Sequence, residues 1–127
     1  MPKTKAQKEQ IVQDLVDKFQ KMKSVVFTHF FGLTVHDVEE LRAKCREAGV
    51  EYLVAKKTLL DVAFHTGGMT EVHPRDFEGE VATVISYKDE VSGAKTLAAF
   101  ARKHDQVKFV GGVLEGKFLD AAAVRQL

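Results

Sequence analysis

The chain has 127 residues, of which 45% are hydrophobic and 29% charged, and its formal net charge is +1. That length holds one domain with a core of its own, and the composition is that of a globular chain, which excludes disorder over most of it. A charge so near neutral leaves no global footprint for a polyanion, so a nucleic-acid reading has to rest on where the basic residues fall.

Ile11, Val12, Leu15, Val16, Phe19 and Met22 recur at helical spacing and predict a first helix from about Lys5 to Met22 with one buried face. The run SVVFTHF from Ser24 to Phe30 is dense in β-branched and aromatic residues and reads as a buried strand, broken by Gly32. Thr34 with Asp37 has the spacing of a capping box, and the stripe Val35, Val38, Leu41, Cys45, Ala48 carries a helix to Gly49, which suits its exit. Val50 to Ala55 is a second strand. Lys56, Lys57 and Thr58 then lead into a short helix, LLDVAFH, closed by Gly67 and Gly68.

The stretch from Met69 to Glu78, with Pro74, has no period and reads as a loop. Val81 to Tyr87 is a third strand, and Asp89 is placed to cap a helix with the stripe Val91, Ala94, Leu97, Ala98, Ala101. VKFVGGVLEGKFLD, from Val107 to Asp120, reads as a fourth strand bent at its glycines and followed by a turn; Asp120 then caps a last helical turn, AAAVRQL. Strands alternating with helices over short connections predict an α/β chain of α+β-like character, a single domain with a four-stranded sheet and helices packed against it. Any parallel crossover is expected to be right-handed.

Apolar runs stop well short of the roughly 20 residues that a membrane-spanning helix needs. The basic start MPKTKAQKEQ lacks the apolar centre of a secretory signal, so a cytoplasmic protein without membrane association is expected. The single Cys45 excludes an internal disulfide and falls on the apolar stripe of its helix, as a small core residue does. His29, His36, His65, His73 and His104 are dispersed, without HExxH, and a metal site would need tertiary convergence. Neither GxSxG, GxGxxG nor a phosphate-binding loop occurs. No catalytic residue, metal or cofactor is therefore expected.

Three basic groups remain. Lys3, Lys5 and Lys8 precede the first acid and form either a solvated terminus or a phosphate contact. Lys56, Lys57 and Thr58 sit where a strand hands over to a helix, beside free N–H groups; the alternative is a charged surface turn with Thr58 as its cap. Arg42 and Arg46, one turn apart, could reach a phosphate together, or pair with Glu39, Glu40 and Glu47 on their own helix. Phe30 and Phe31 form the only adjacent aromatic pair; one fits a core and the other could stack on a base.

The run FGLTVHDVEELRAKCREAGVEYLVAKKTLLDVA, from Phe31 to Ala63, resembles the signature stretch of the bacterial stalk-base family, large-subunit ribosomal protein ten, related to the eukaryotic P-zero stalk protein. The likeness lies in a glycine-hydrophobic-threonine helix start, a leucine-arginine pair on the helix, an arginine-glutamate-alanine-glycine exit and a basic pair before threonine-leucine-leucine. VKFVGGVLEGKFLDAAAV resembles the family's final strand and turn, which extends the likeness over nearly the whole chain. Lys57 stands where the family usually has asparagine, Phe31 where it often has a basic residue, and Gly79-Glu80 where it has glycine-proline.

The resemblance implies a non-catalytic domain over residues 1–127 that binds large-subunit ribosomal RNA at the base of the stalk, beside ribosomal protein eleven. In the full-length family member a further carboxy-terminal helix, expected to be absent from this polypeptide, carries dimers of the acidic stalk proteins. RNA contact then falls to Lys3, Lys5, Lys8, Lys56, Lys57 and Thr58, with Arg42 and Arg46 beside them. The competing readings are a protein-interaction module without RNA and a small cytosolic ligand-binding domain or enzyme built around Cys45 or His29.

Overall fold

Thr34 does what its spacing predicts, and Thr4, not singled out from the sequence, does the same. Each hydroxyl accepts from the backbone N–H three residues on, and the side chain there, Asp37 or Gln7, returns to the cap's own N–H. These boxes start α1 (Lys5–Lys21) and α2 (Val35–Ala48) in the computed structural model, which describes residues 4–30, 32–69, 72–74, 77, 81–104, 107–114 and 117–120. Gly49 ends α2 at φ 73°, the left-handed conformation that a side chain disfavours. Between the two helices runs β1 (Ser24–Phe30), and β2 (Val50–Val54) follows Gly49 directly.

The remaining elements are α3 (Lys57–Thr66), β3 (Val81–Ser86), α4 (Ser92–Ala101), β4 (Val107–Leu114) and β5 (Lys117–Asp120). The sheet order is β2-β3-β1-β4-β5, and every adjacent pair is antiparallel. Because β3 lies between them, β1 and β2 run parallel, with α2 as the crossover; β3 and β4 are likewise parallel across β1, with α4 as theirs. The parallel relation thus exists only between next-nearest strands, as in split βαβ units.

The α/β reading holds, and the sheet has a fifth strand. Val107 to Asp120 divides into β4 and β5, which pair from Leu114↔Lys117 to Gly111↔Asp120. The expected glycine-marked bend is a bulge: Phe27 opposes Gly111 and Thr28 opposes Phe109, so Val110 is the extra residue. A Cβ on Gly111 would stand 2.9 Å from both the Leu119 carbonyl oxygen and the Phe118 ring, so only glycine lets β5 lie this close. The last helical turn, AAAVRQL, lies outside the described residues.

Strand alternation sends side chains to two cores. Val25, Phe27 and Ile85 face α1 and α3, where they join Leu15, Val16, Phe19, Leu60, Ala63 and Phe64. Val26 and Val84 face α2 and α4, against Leu41, Cys45, Leu97 and Phe100. With a helical layer on each face, all six residues of β3 are buried, which explains why VATVIS carries no charge and only two small hydroxyl residues, Thr83 and Ser86.

Asp89 caps α4 from two positions further out than its spacing suggested, since the N-cap residue is Val91. Its carboxylate accepts from the N–H groups of Val91 and Ser92, at 2.9 and 2.7 Å, and from the Ser92 hydroxyl. The hydrogen bonds from Ser92 and Val91 hold its carboxyl below the ordinary aspartate range.

Gly93, in the first turn of α4, donates its N–H to the buried Ser86 Oγ at 2.9 Å. A Cβ there would stand 2.6 Å from that oxygen and 3.2 Å from Val84 Cγ1. Alanine for glycine inside a helix gains up to about 1 kcal/mol. Overpacking costs about 1–3 kcal/mol and the strained hydrogen bond about 1 more. Gly93→Ala is therefore expected to destabilise the protein by about 1–3 kcal/mol, read as a lower urea midpoint; an unchanged or raised midpoint would show that α4 can shift off β3 at no cost.

Candidate nucleic-acid interface

Lys56 is the N-cap residue of α3 and makes no side-chain cap hydrogen bond. Unlike the starts of α1 and α2, this helix start has no side chain folded over it. Leu59 and Leu60 donate back to the Lys56 carbonyl, while the N–H groups of Lys57 and Thr58 have no hydrogen-bond partner among the described residues. Lys56 and Thr58 are exposed, so a cation and a hydroxyl flank N–H groups at the positive end of a helix dipole. Thr58 lies inside α3 and is not its cap.

Lys57 points back into the protein. It is partly buried, and its ammonium donates to the Phe77 carbonyl at 2.6 Å, pinning the segment that leads toward β3. Phe77 in turn packs on Phe27, ring centres 5.2 Å apart.

Lys5 and Lys8 are exposed on the first turns of α1, which packs on α3. They border a shallow groove with Val12, Leu59 and Val62. Leu59 also lines the neighbouring groove between α1 and the end of β2, where Lys56 and Lys18 form part of the rim. Lys5, Lys8 and Lys56 thus border one continuous α1–α3 surface. Lys3 lies outside the described residues, as does Phe31.

Lys18 is committed to Glu51 of β2, 2.5 Å away, and Glu51 also accepts from the Tyr87 hydroxyl at 2.7 Å. Burial, then the hydrogen bond and charge of Glu51, raise the Tyr87 phenol well above its usual range.

Arg42 and Arg46 are exposed on the other side of the sheet. The Arg42 guanidinium lies 5.2 Å from the centre of the Tyr52 ring, a cation–π contact. The pairing expected with Glu39, Glu40 and Glu47 does not form: among the described residues neither arginine is in an ion pair. Arg42 turns to the Tyr52 ring instead, and Arg46 stays exposed on the outer stripe of α2. Burial raises the Tyr52 hydroxyl, and the Arg42 charge opposes the shift. Among the described residues the candidate cations therefore fall in two areas, one on the α1–α3 layer and one on α2, on either side of the edge strand β2.

Cys45 is 1% exposed, and burial pushes its thiol up to about 11. A thiol so protonated at neutral pH is no nucleophile. Three of the five histidines, dispersed in sequence, are gathered by the fold among the described residues into two groups, Asp61 with His65 and His73, and Asp37 and Glu40 with His104. Sequence spacing had one signal for the first of these, Asp61 and His65 at a one-turn separation. No described helix is long and apolar enough to cross a membrane.

A profile of the ribosomal protein L10 family matches residues 3–102. The large ribosomal subunit protein uL10 of Alkaliphilus metalliredigens is 39% identical over 127 residues, all of this chain and 76% of the relative. That of Symbiobacterium thermophilum is 42% identical over 123 residues, 95% of this chain and 68% of the relative, and that of Pelotomaculum thermopropionicum is 39% identical over 127 residues. A non-catalytic α/β scaffold with exposed cations and a match of this extent define a structural protein of the translation machinery. The chain belongs to the ribosomal protein L10 family. It is a bacterial large-subunit protein with a structural role in the cytoplasmic ribosome, and it is not an enzyme.

Proposed function

We propose that residues 1–127 bind large-subunit ribosomal RNA at the base of the stalk, chiefly through the α1–α3 surface. The observation that carries this reading is the start of α3, without a side-chain cap, where exposed Lys56 and Thr58 stand beside backbone N–H groups that have no partner among the described residues. Two exposed lysines of α1 border the same surface, so a phosphate at the helix start and its neighbours along a folded RNA meet successive cations. Lys57 supports the turn from behind. Recognition of this kind reads RNA shape more than sequence, since no exposed aromatic platform lies among these residues. The near-neutral charge agrees with a protein that turns one face to RNA and leaves others for protein neighbours. One such neighbour is ribosomal protein eleven. The domain then anchors the stalk, and a carboxy-terminal helix carries the acidic stalk-protein dimers.

The test is binding to a folded stalk-base fragment of large-subunit ribosomal RNA against an unrelated hairpin, over a salt series. Selective binding that weakens with a log–log salt slope of about −2 or steeper is expected, as roughly 0.7–0.9 per phosphate contact requires. Binding without selectivity or without salt dependence would defeat the proposal; the latter would favour a protein-interaction module.

A further inference from the structure

We propose that Asp61, His65 and His73 bind a first-row transition-metal dication of the zinc type. Asp61 and His65 lie one turn apart on the same face of α3. The segment after α3 then brings the His73 imidazole beside that of His65, ring centres 5.2 Å apart and planes at 83°. One ligand atom from each of the three residues lies within 4.8 Å of the others. His65 Nε2 is 3.4 Å from Asp61 Oδ1.

Two ligands at about 2.0–2.1 Å on a tetrahedral ion stand about 3.4 Å apart. The α3 pair is therefore already at ligand spacing, and only His73 has to close in. Two imidazoles and one carboxylate suit zinc and its neighbours; magnesium and calcium take all-oxygen shells. Asp61 is 5% exposed while both histidines are exposed. The carboxylate would hold the ion from the protein side and leave its outer position to water. Cys45, the one thiol in the chain, is buried in the core on the other face of the sheet and does not compete. A bound ion would tie the segment carrying His73 to α3, the helix that presents Lys56.

The second group offers an internal rival. His104 is 4.0 Å from a carboxylate oxygen of Asp37 and 4.0 Å from one of Glu40, and its ring stacks on Phe100 at 4.1 Å. With a single nitrogen donor it is the poorer zinc site and reads as a brace between α2 and α4.

The experiment is titration of the full chain with Zn²⁺, and separately with Co²⁺, whose visible absorption reports its coordination. One-to-one uptake, a four-coordinate Co²⁺ spectrum, a Tm raised by Zn²⁺ and no response to Mg²⁺ are expected. His65→Gln and His73→Gln change exposed side chains and leave the core intact; each should weaken Zn²⁺ binding about tenfold or more and remove the Tm shift. His104→Gln should change neither. The assignment is overturned by absence of stoichiometric uptake, by uptake that survives the His65→Gln, His73→Gln double variant, or by loss seen only in His104→Gln, which would move the ion to the α2–α4 group.

Discussion

Replacing Phe64 with alanine is expected to destabilise the protein by about 3–5 kcal/mol, the range for deleting a buried aromatic side chain. Phe64 is fully buried. Its ring stacks on Phe19 of α1, centres 4.1 Å apart and planes within 9°, and meets Phe27 of β1 edge-on at 5.7 Å. One side chain therefore joins both helices of the layer to a central strand. Alanine would leave a void that no neighbour can fill without moving a helix, and the lining atoms would lose their dispersion contacts outright. Against a typical total stability of about 5–15 kcal/mol, that is at least about a fifth of the margin. Urea denaturation measures it: the midpoint should fall with little change in slope. A loss under about 1 kcal/mol would mean that the α1–α3 layer does not depend on this aromatic cluster. RNA affinity measured where the variant is still folded should hold, because no charge has changed.

Local devices were legible in the chain and long-range ones were not. Thr34, Asp37 and Gly49 act within a few residues of one another, so their spacing alone places α2, and the same holds for the apolar stripe of α1. The fifth strand escaped because Val107 to Asp120 reads as one strand bent at its glycines; whether Lys117 to Asp120 pairs depends on a partner strand and on the absence of a side chain at Gly111. Strand order escaped for the same reason. Nothing near Ser24 or Val50 indicates that β3 will be inserted between their strands.

The candidate site divides along the same line. Lys56 before a helix start is a local pattern and was read as one. That Lys57 turns inward depends on Phe77, twenty residues away, and the convergence of His73 on Asp61 and His65 depends on how the segment after α3 returns. The charges of α2 were read through helix pairing rules, yet Arg42 found the Tyr52 ring across β2. A neighbouring strand offered a desolvated aromatic face, which a cation prefers to a carboxylate pair in open solvent.

The two basic areas can be told apart by charge removal. Each phosphate contact contributes about 0.7–0.9 to the log–log salt slope, and between about 1 M and 0.1 M salt that amounts to nearly a decade of affinity per contact. A Lys5→Ala, Lys8→Ala, Lys56→Ala variant should therefore bind the stalk-base RNA roughly a hundredfold or more weakly at about 0.1 M salt, with a slope shallower by about 2–3. All three positions are exposed, and among the described residues none makes a side-chain hydrogen bond or ion pair, so the loss should come without a change in Tm. Arg42→Ala, Arg46→Ala removes two charges on the far side of the sheet. Across that distance screening leaves them little influence, and a change of about threefold or less is expected with the slope preserved. Equal losses in both variants would mean that the RNA wraps the β2 edge and touches both layers, and a loss confined to the arginine variant would move the interface to α2.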